Sequence, residues 1–322
     1  MQLAISLAES THVRTIPNPK VACVLVDSEG VIATGVHGES GVEHAEVIAL
    51  RKAAERARNA TAYVTLEPCG HVGKTPPCAT ALIEAGVRRV VYAVKDPIHG
   101  GEKELRNAGI DVITSELQSE ALFELAPWLH TATCETPFVT LKIAATLDGF
   151  IAAPDGSSKW ITSDASRHYV QQIRMGVDGI ITSTQTVQMD SPAFTIRDYE
   201  VQNQPHVYIL GESNIPNIGS FESRYTQIAS HDPTAVLQQA QRDGRTHLLI
   251  EAGGKVAATF LQANLVNRLI WISAPVMMGD GRKAIAGLEV SSIQEALRPI
   301  VERQFMREQD FVTVMRLPRC SH

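Results

Sequence analysis

Basic charge, aromatic residues and long apolar runs are all scarce in this chain of 322 residues. The formal net charge is −6 at pH 7, which argues against broad nucleic-acid binding, because that binding needs basic surface to neutralise phosphates. Aromatic residues make up only 5% of the chain, so a stacking surface for single-stranded nucleic acid is not expected. No apolar run approaches the roughly 20 residues that span a bilayer, and we expect no membrane segment.

Cysteine is also scarce, and no targeting signal is visible. The five cysteines are too few and too scattered for a disulfide framework, which favours a reducing compartment. The first residues, MQLAISLAES, lack a basic segment followed by a long apolar core, so a signal peptide is not expected. They predict an amphipathic helix with Leu3, Ala4, Leu7 and Ala8 on one face. These features together predict a cytoplasmic protein.

Strands and helices alternate through the first half of the chain. Segments rich in β-branched and apolar residues predict strands at 21–27, 31–38, 61–68, 88–96 and 110–115. Helical composition marks the segments 44–57, 77–86, 104–109 and 117–133. We expect the last of these helices to be interrupted near Pro127. This order predicts an α/β domain with a largely parallel sheet and helices on its faces.

The pattern resets near residues 134–137, and we place a domain boundary there, between a domain 1–134 and a domain 135–322. The second half opens with one predicted long strand over 138–152. Further strands are predicted at 179–187, 206–211, 246–254 and 269–279. Helices between them are predicted at 165–176, 234–244 and 255–265. The second half is therefore also predicted to be α/β.

The stretch TLEPCGHVGKTPPC, residues 65–78, contains two cysteines with eight residues between them. Cys69 follows a predicted strand, and Cys78 begins a predicted helix, whose N-terminus favours a thiolate. His44 begins another predicted helix and offers a third donor. Three protein ligands with one open position are typical of a hydrolytic zinc site. The sequence therefore predicts a zinc ion bound by His44, Cys69 and Cys78.

Glu46 follows His44 by two residues, in the first turn of the predicted helix. We expect it to take a proton from the attacking water and pass it to a leaving group, as the glutamate of zinc deaminases does. Each piece alone has a simpler explanation, since cysteines are often small buried apolar residues. The combination of a histidine and a glutamate at one helix start with the two cysteines is much more specific for a zinc deaminase site. A structural zinc with His71 as a fourth ligand is the alternative.

Several motifs together resemble one known family, the bifunctional deaminase/reductases of riboflavin biosynthesis. They are PNPKVACVLV, GVHGESGVEHAEVIAL, TLEPCGHVGKTPPC, and LKIAATLDGFIA followed by GSSKWIT. The resemblance extends from Met1 to about Leu317. Its cysteine spacing differs from that of nucleoside and tRNA deaminases, whose cysteines lie only two residues apart.

The family implies both a fold and a reaction sequence. The expected fold is a cytidine-deaminase-like three-layer domain followed by a dihydrofolate-reductase-like α/β domain. The first domain would use zinc to deaminate 2,5-diamino-6-ribosylamino-4(3H)-pyrimidinone 5′-phosphate by hydrolysis. The second would use NADPH to reduce the ribosyl side chain to ribityl. The resemblance also implies a homodimer formed through the reductase domain, with a small phosphorylated pyrimidine as substrate.

The resemblance assigns further site residues by motif. In the first half, residues expected to bind the pyrimidine and its phosphate are Asn18, His37, Lys74, Thr75 and Asp96. In the second half, residues expected to bind substrate are Lys142, Ser158, Arg174, Phe194, Arg197 and Glu251. Residues expected to bind the cofactor are Ala144, Trp160, Thr162, Thr186, Asp190, Gly253, Gly254 and Lys255.

Some of these assignments also have a physical reason. Arg174 and Arg197 are interpreted as phosphate clamps. Gly253-Gly254-Lys255 follows a strand and opens a helix, which offers backbone N–H groups to a cofactor phosphate. The Gly-x-Gly-x-x-Gly fingerprint is absent, so a standard dinucleotide fold is not predicted. Asp148 in TLDG is interpreted as a turn former.

The chain departs from the family pattern at four positions and in two segments. Ala22 replaces a usual glycine, Ile98 a usual asparagine, and Gly211 and Asn267 usual aspartates, while the segments 99–105 and 198–246 are shortened. The changes at Gly211, at Asn267 and in the segment 198–246 cluster in the second half. They support an alternative hypothesis, in which the protein is a deaminase only and an impaired or altered reductase half serves as a dimerisation scaffold.

Overall fold

The computed structural model describes residues 1–11, 13–38, 43–71, 76–134, 136–215 and 218–317. The chain divides into two compact units, Met1–Glu135 and Thr136–His322. Both units are α/β, as predicted. None of the helices in the described ranges has the length and apolarity needed to cross a membrane.

The first unit contains a five-stranded sheet with helices on both faces. Its elements are α1 (Gln2–Ser10), β1 (Ala22–Asp27), β2 (Gly30–Val36), α2 (Ala45–Ala53), β3 (Thr61–Leu66), α3 (Cys78–Glu84), β4 (Arg89–Val94), α4 (Glu102–Asn107), β5 (Asp111–Thr114) and α5 (Gln118–Cys134). The strand order is β2-β1-β3-β4-β5. Strand β1 is antiparallel to β2 and β3, whereas β3, β4 and β5 are parallel. The sheet is therefore mixed rather than largely parallel.

Alternation along β1 supplies both faces of this sheet with apolar side chains, as the period of two in a strand requires. Cys23 and Leu25 enter the larger core, which also holds apolar residues of α2 and α3. Ala22 and Val24 face the other way and pack with Ala4 and Ala8 of α1. Ala22, one of the departures from the family pattern, is thus a buried core residue.

Two details of the predicted helices are wrong. Leu3 does not lie on the buried face of α1, where Ile5 is buried together with Ala4 and Ala8. Helix α5 runs through Pro127 without interruption. A proline removes only one N–H donor, and the helix holds its buried side chains Ala121 and Leu125 in place despite that loss.

The second unit is built on an eight-stranded sheet. Its elements are β6 (Phe138–Thr146), β7 (Phe150–Ala152), α6 (Asp164–Met175), β8 (Gly179–Ser183), α7 (Thr184–Asp190), β9 (His206–Leu210), β10 (Tyr225–Ile228), α8 (Pro233–Arg242), β11 (His247–Ile250), α9 (Gly254–Gln262), β12 (Arg268–Ala274), β13 (Arg282–Lys283), β14 (Ile300–Arg307) and β15 (Asp310–Arg316). The strand order is β10-β9-β8-β11-β6-β12-β15-β14. The strands from β10 to β12 in this order are parallel, and β15 and β14 add an antiparallel edge.

Four predicted strands of this unit end early. Two of them, 246–254 and 269–279, end at Ile250 and Ala274. The segment 138–152 breaks at the turn over Leu147–Gly149, because Gly149 adopts a positive φ of 85° and donates its N–H to the Thr146 carbonyl at 3.0 Å. The segment 179–187 ends as a strand at Ser183. The Ser183 hydroxyl accepts a hydrogen bond from the Thr186 N–H and so caps α7.

Candidate active sites

The three predicted zinc ligands of the first unit converge from separate elements. His44 is the residue before α2, Cys69 follows β3, and Cys78 is the first residue of α3. The His44 Nδ1 lies 3.2 Å from the Cys78 Sγ and 3.7 Å from the Cys69 Sγ. All three donor atoms lie within 4.8 Å of one another.

These separations fit a zinc ion. Zinc–nitrogen and zinc–sulfur bonds at a tetrahedral angle place their two donor atoms about 3.6 Å apart. The hydrogen bond to Cys78 lowers the pKa of the Cys69 thiol, and the adjacent His44 imidazole lowers it further. Cys69 therefore favours the thiolate form, which is the form that binds a metal. His71, the fourth ligand of the structural-zinc alternative, stacks on His99 at 3.7 Å between ring centroids and is not part of the donor group. The three-ligand geometry therefore favours a site with an open position.

Glu46 lies beside this donor group and is only 4% exposed. Burial raises the pKa of its carboxyl to about 7, because the charged form loses its solvation. A group with a pKa near neutrality can both accept and donate a proton. Its position in the first turn of α2 places that carboxyl two residues from His44.

Asn18 and His37 form the polar wall next to His44. The His37 ring lies edge-on to the His44 ring, with 5.3 Å between centroids. Its Nδ1 lies 3.3 Å from the Glu43 carbonyl and its Nε2 lies 3.1 Å from the Asn18 Nδ2. A neutral ring that donates from Nδ1 and accepts at Nε2 satisfies both contacts. Burial lowers the pKa of His37, which agrees with the neutral form.

The remaining predicted residues of the first unit have different outcomes. Asp96 is buried, and its Oδ1 accepts hydrogen bonds from the N–H groups of Ile98 and His99 at 2.8 and 2.9 Å. It therefore shapes the turn that follows β4. Ile98, which replaces the family's asparagine, is exposed in that turn. Lys74 and Thr75 lie outside the described residues.

Helix α2 can approach its sheet closely because β2 carries Gly35. A Cβ atom built on Gly35 would overlap the backbone of Ala45 and Ala49. Gly35→Ala should therefore displace α2 and destabilise the first unit by about 1–3 kcal/mol, the usual cost of overpacking. Zinc content and urea unfolding of this unit measure the effect. Val31→Ala on the same strand, where Val31 is 55% exposed, should change neither, and equal stability of both variants would contradict the explanation.

A cavity of about 510 Å³ lies in the second unit. Most residues that the sequence predicted for substrate or cofactor line it: Lys142, Ala144, Ser158, Arg174, Thr186, Asp190, Phe194, Glu251, Gly253, Gly254 and Lys255. Three predicted residues do not line it: Trp160, Thr162 and Arg197. Trp160 is 69% exposed, and the guanidinium of Arg167 lies 4.5 Å above its ring.

An ion-pair network forms part of the wall of this cavity. The Arg174 Nε and Nη2 donate to the two carboxylate oxygens of Glu251 at 2.7 and 3.0 Å, and its Nη1 donates to the Thr195 carbonyl. The Lys142 Nζ lies 3.4 Å from the same carboxylate. Burial acts to raise the pKa of Glu251, but attraction to Arg174 and Lys142 outweighs it and lowers the pKa to about 2. Arg174 is thus held by Glu251, which differs from the phosphate clamp proposed from sequence.

The part of the cavity wall at the start of α9 fits a phosphorylated cofactor. Gly253 precedes α9 without a side-chain cap, and a Cβ built on it would meet no atom within 4 Å. Gly254 packs so closely that its Cβ would overlap the Lys283 backbone. Free N–H groups at a helix N-terminus beside open space suit a phosphate. Arg282, which no sequence motif indicated, also lines this cavity, and its Nη1 lies 2.8 Å from the Met189 Sδ.

The fold and the two sites define a class of protein, a zinc-dependent deaminase joined to a reductase. The family model for the cytidine and deoxycytidylate deaminase zinc-binding region matches residues 1–94, and the model for the RibD C-terminal domain matches residues 137–303. The chain is 40% identical over 309 residues to the riboflavin biosynthesis protein RibD of Mycobacterium tuberculosis H37Rv, with coverage of 92% of this chain and 91% of that protein. It is 36% identical to RibD of Escherichia coli K12, with coverage of 89% and 90%.

Solved structures give the same result. Acinetobacter baumannii RibD matches with a TM-score of 0.85 at 33% identity, covering 98% of this chain and 97% of that one. The deaminase/reductase of Thermotoga maritima matches with a TM-score of 0.86 at 31% identity, covering 99% and 97%. The chain belongs to the RibD family of riboflavin biosynthesis proteins, which confirms the resemblance drawn from its motifs. It is a bifunctional enzyme of this family, with zinc and NADPH as its cofactors.

Proposed function

We propose that the first unit hydrolytically deaminates 2,5-diamino-6-ribosylamino-4(3H)-pyrimidinone 5′-phosphate and that the second reduces the ribosyl chain of the product to ribityl. The observation that carries the proposal is the convergence of the His44, Cys69 and Cys78 donor atoms beside a buried Glu46. The similar protein of Thermotoga maritima is described as a diaminohydroxyphosphoribosylaminopyrimidine deaminase and 5-amino-6-(5-phosphoribosylamino)uracil reductase.

In the first unit, Glu46 moves the protons of the hydrolysis. When bound by His44, Cys69 and Cys78, zinc lowers the pKa of a water molecule, so that hydrolysis proceeds at neutral pH. The water oxygen bonds to the ring carbon that bears the amino group, and Glu46 accepts the water proton. Glu46 then returns a proton to the amino nitrogen, the carbon–nitrogen bond breaks, and ammonia leaves. The pKa of about 7 suits Glu46 to both transfers.

Asn18 and His37 would orient the pyrimidine ring against this machinery. The neutral His37 fixes the Asn18 amide nitrogen through its Nε2 and leaves the Asn18 carbonyl oxygen to accept a hydrogen bond from the ring. Lys74 and Thr75, which lie outside the described residues, stay predicted contacts for the substrate phosphate.

In the second unit, different residues of the same cavity wall would bind substrate and cofactor. Lys142 and Glu251 present charged groups to the cavity, where the ribosyl chain would bind. Gly253, Gly254 and Lys255 at the start of α9 would hold the cofactor phosphates. NADPH supplies the hydride of the reduction. Trp160, Thr162 and Arg197 stay predicted contacts outside the cavity.

The alternative of a deaminase without a working reductase has less support. Two departures that motivated it have structural explanations. The side-chain oxygen of Asn267 accepts a hydrogen bond from the Val139 N–H at 2.8 Å and so ties β12 to β6. Gly211 has a φ of 121° and lies against the Thr184 side chain, where a Cβ would overlap the hydroxyl oxygen. Both residues serve the packing of the unit, and the cavity remains open.

Two assays test the proposed function on the full-length protein. Ammonia release from the phosphorylated diaminopyrimidine measures the first step, and oxidation of NADPH with the deaminated product measures the second. Removal of metal with a chelator should abolish ammonia release and leave NADPH oxidation intact. Loss of both activities, or of neither, would contradict the assignment of zinc to the first unit alone.

A substitution of Arg282 tests whether the NADPH phosphates bind in this cavity. It contacts Met189 of α7, lines the cavity, and among the described residues has no acidic partner. Arg282→Gln should raise the KM for NADPH about 10-fold, since a charge-assisted contact contributes roughly 1.5 kcal/mol, and leave kcat unchanged. Steady-state kinetics measure the KM for NADPH and kcat separately. Arg298→Gln, outside the cavity, is the control, and an effect on the KM of the pyrimidine alone would refute this placement.

We further propose a cytoplasmic enzyme that forms a homodimer through the second unit. The four cysteines in the described part of the chain are all unpaired, which suits a reducing compartment.

The edge strand β14 and its neighbour β15 expose Ile300, Val301, Met306 and Phe311. An uncovered apolar sheet edge is a surface that pairing would protect. Sedimentation of the full-length protein would detect the dimer.

A further inference from the structure

Glu67 is a buried carboxylate for which the proposed mechanism has no use. It lies between β3 and the Pro68-Cys69 pair and is 3% exposed. Its Oε2 accepts a hydrogen bond from the Asp96 N–H at 3.1 Å, and its Oε1 accepts one from the Glu102 N–H at 2.9 Å. One side chain therefore binds both ends of the loop 96–102, which joins β4 to α4.

The same loop lies directly against the backbone of Cys69. The Gly70 N–H donates to the His99 carbonyl at 2.8 Å, and the Gly101 N–H donates to the Pro68 carbonyl at 2.9 Å. Between these two bonds, Cys69 and Gly100 form an antiparallel bridge. The loop thus acts as a short extra strand on the segment that presents the thiolate.

Gly100 connects the two sets of contacts. A Cβ built on Gly100 would overlap the Glu67 carboxyl group, because the carboxylate packs directly beneath this residue. Glu67 therefore supports Gly100 from one side, while Cys69 pairs with Gly100 along the backbone. A shift of the carboxylate would therefore be transmitted to the Cys69 backbone through Gly100 and through the two backbone hydrogen bonds beside it.

We propose that Glu67 is a positioning residue for the metal site, which sets the place of the Cys69 sulfur through the loop 96–102. The inference rests on the proposed zinc site and adds a residue that does not contact the ion. A carboxylate is needed because it only accepts hydrogen bonds and faces two N–H donors. Glutamine would turn an NH₂ group toward one of those donors.

The test compares metal binding by Glu67→Gln and wild type in the full-length protein. With cobalt replacing zinc, visible absorption reports the geometry around the ion and its bonds to sulfur. Glu67→Gln should change that spectrum and speed zinc release to a chelator by about 10-fold or more, as loss of a supporting hydrogen bond near a metal ligand does. Glu102→Gln is the matched control, since the Glu102 side chain bonds Tyr92 and Arg106 instead of the loop.

Gly100→Ala gives a second, independent disturbance with Glu67 still in place, and it decides the test if Glu67→Gln fails to fold. It should alter the cobalt spectrum in the same way, and the double variant should show less than the sum of the two effects. A variant that folds, yet has the wild-type spectrum and zinc release rate, would overturn the inference. A wild-type protein that binds neither metal would instead refute the proposed zinc site, so the two failures are distinct.

Discussion

Glu46→Gln should reduce ammonia release by about 10³-fold, within the range that a positioned general acid–base contributes. Glutamine has nearly the same shape, but it cannot accept the proton of the attacking water or return it to the leaving nitrogen. Zinc content should remain that of the wild type, because Glu46 is not among the three convergent donors. NADPH oxidation with the deaminated product should also be unchanged.

The control for Glu46→Gln is Glu43→Gln. Glu43 is near the same helix start but pairs with Arg51 at 3.1 Å on the surface. It should keep full deaminase activity, since exposed ion pairs contribute little. A Glu46→Gln protein that retains zinc and more than about a tenth of the wild-type rate would show that another group moves the protons.

Glu251→Gln should destabilise the second unit by about 3–5 kcal/mol, because it leaves the buried charges of Arg174 and Lys142 without their partner. Hydrogen exchange of amides in β6 and β11, which flank this network, measures the loss. Asp198→Asn is the matched control. It removes a surface pair with His168 at 2.7 Å and should cost less than about 1 kcal/mol.

The same network predicts a dependence on acid. The pKa of Glu251 is about 2 in the folded protein, below its ordinary value of 4.5. A lowered pKa contributes stability that is fully present above about pH 4.5 and is lost as the pH falls toward about 2. Glu251→Gln should therefore reduce the acid sensitivity of the second unit between these values. An unchanged difference in stability between variant and wild type from pH 7 to pH 3 would contradict the ion-pair explanation.

Local signals in the sequence predicted the first site well. His44 and Cys78 lie at helix starts that composition and Pro76-Pro77 indicate, so their placement follows from short segments. The support of Cys69 could not be predicted in this way. It depends on contacts between Glu67 and a loop about 30 residues away along the chain, and no local pattern encodes such a pairing.

The second site was predicted less completely for a related reason. Arg282 belongs to β13, a strand of two residues that pairs with β7 from a distant part of the chain. The two residues of β13 are both charged, so no β-branched or aromatic residue indicates a strand there. The early ends of two strands were predictable in principle, since Asp148-Gly149 is a turn pair and Ser183 a helix cap. Apolar residues continue past the first point, and the β-branched Thr184, Thr186 and Val187 continue past the second, which concealed both signals.

No apolar cluster in the described residues is shared between the two units, and this has a consequence for how such an enzyme can evolve. Each apolar cluster in the described residues draws its members from one unit only. A gene cut at the junction near Thr136 would leave each core whole. We therefore expect the halves to survive as separate polypeptides, each open to replacement or recombination without repair of the other.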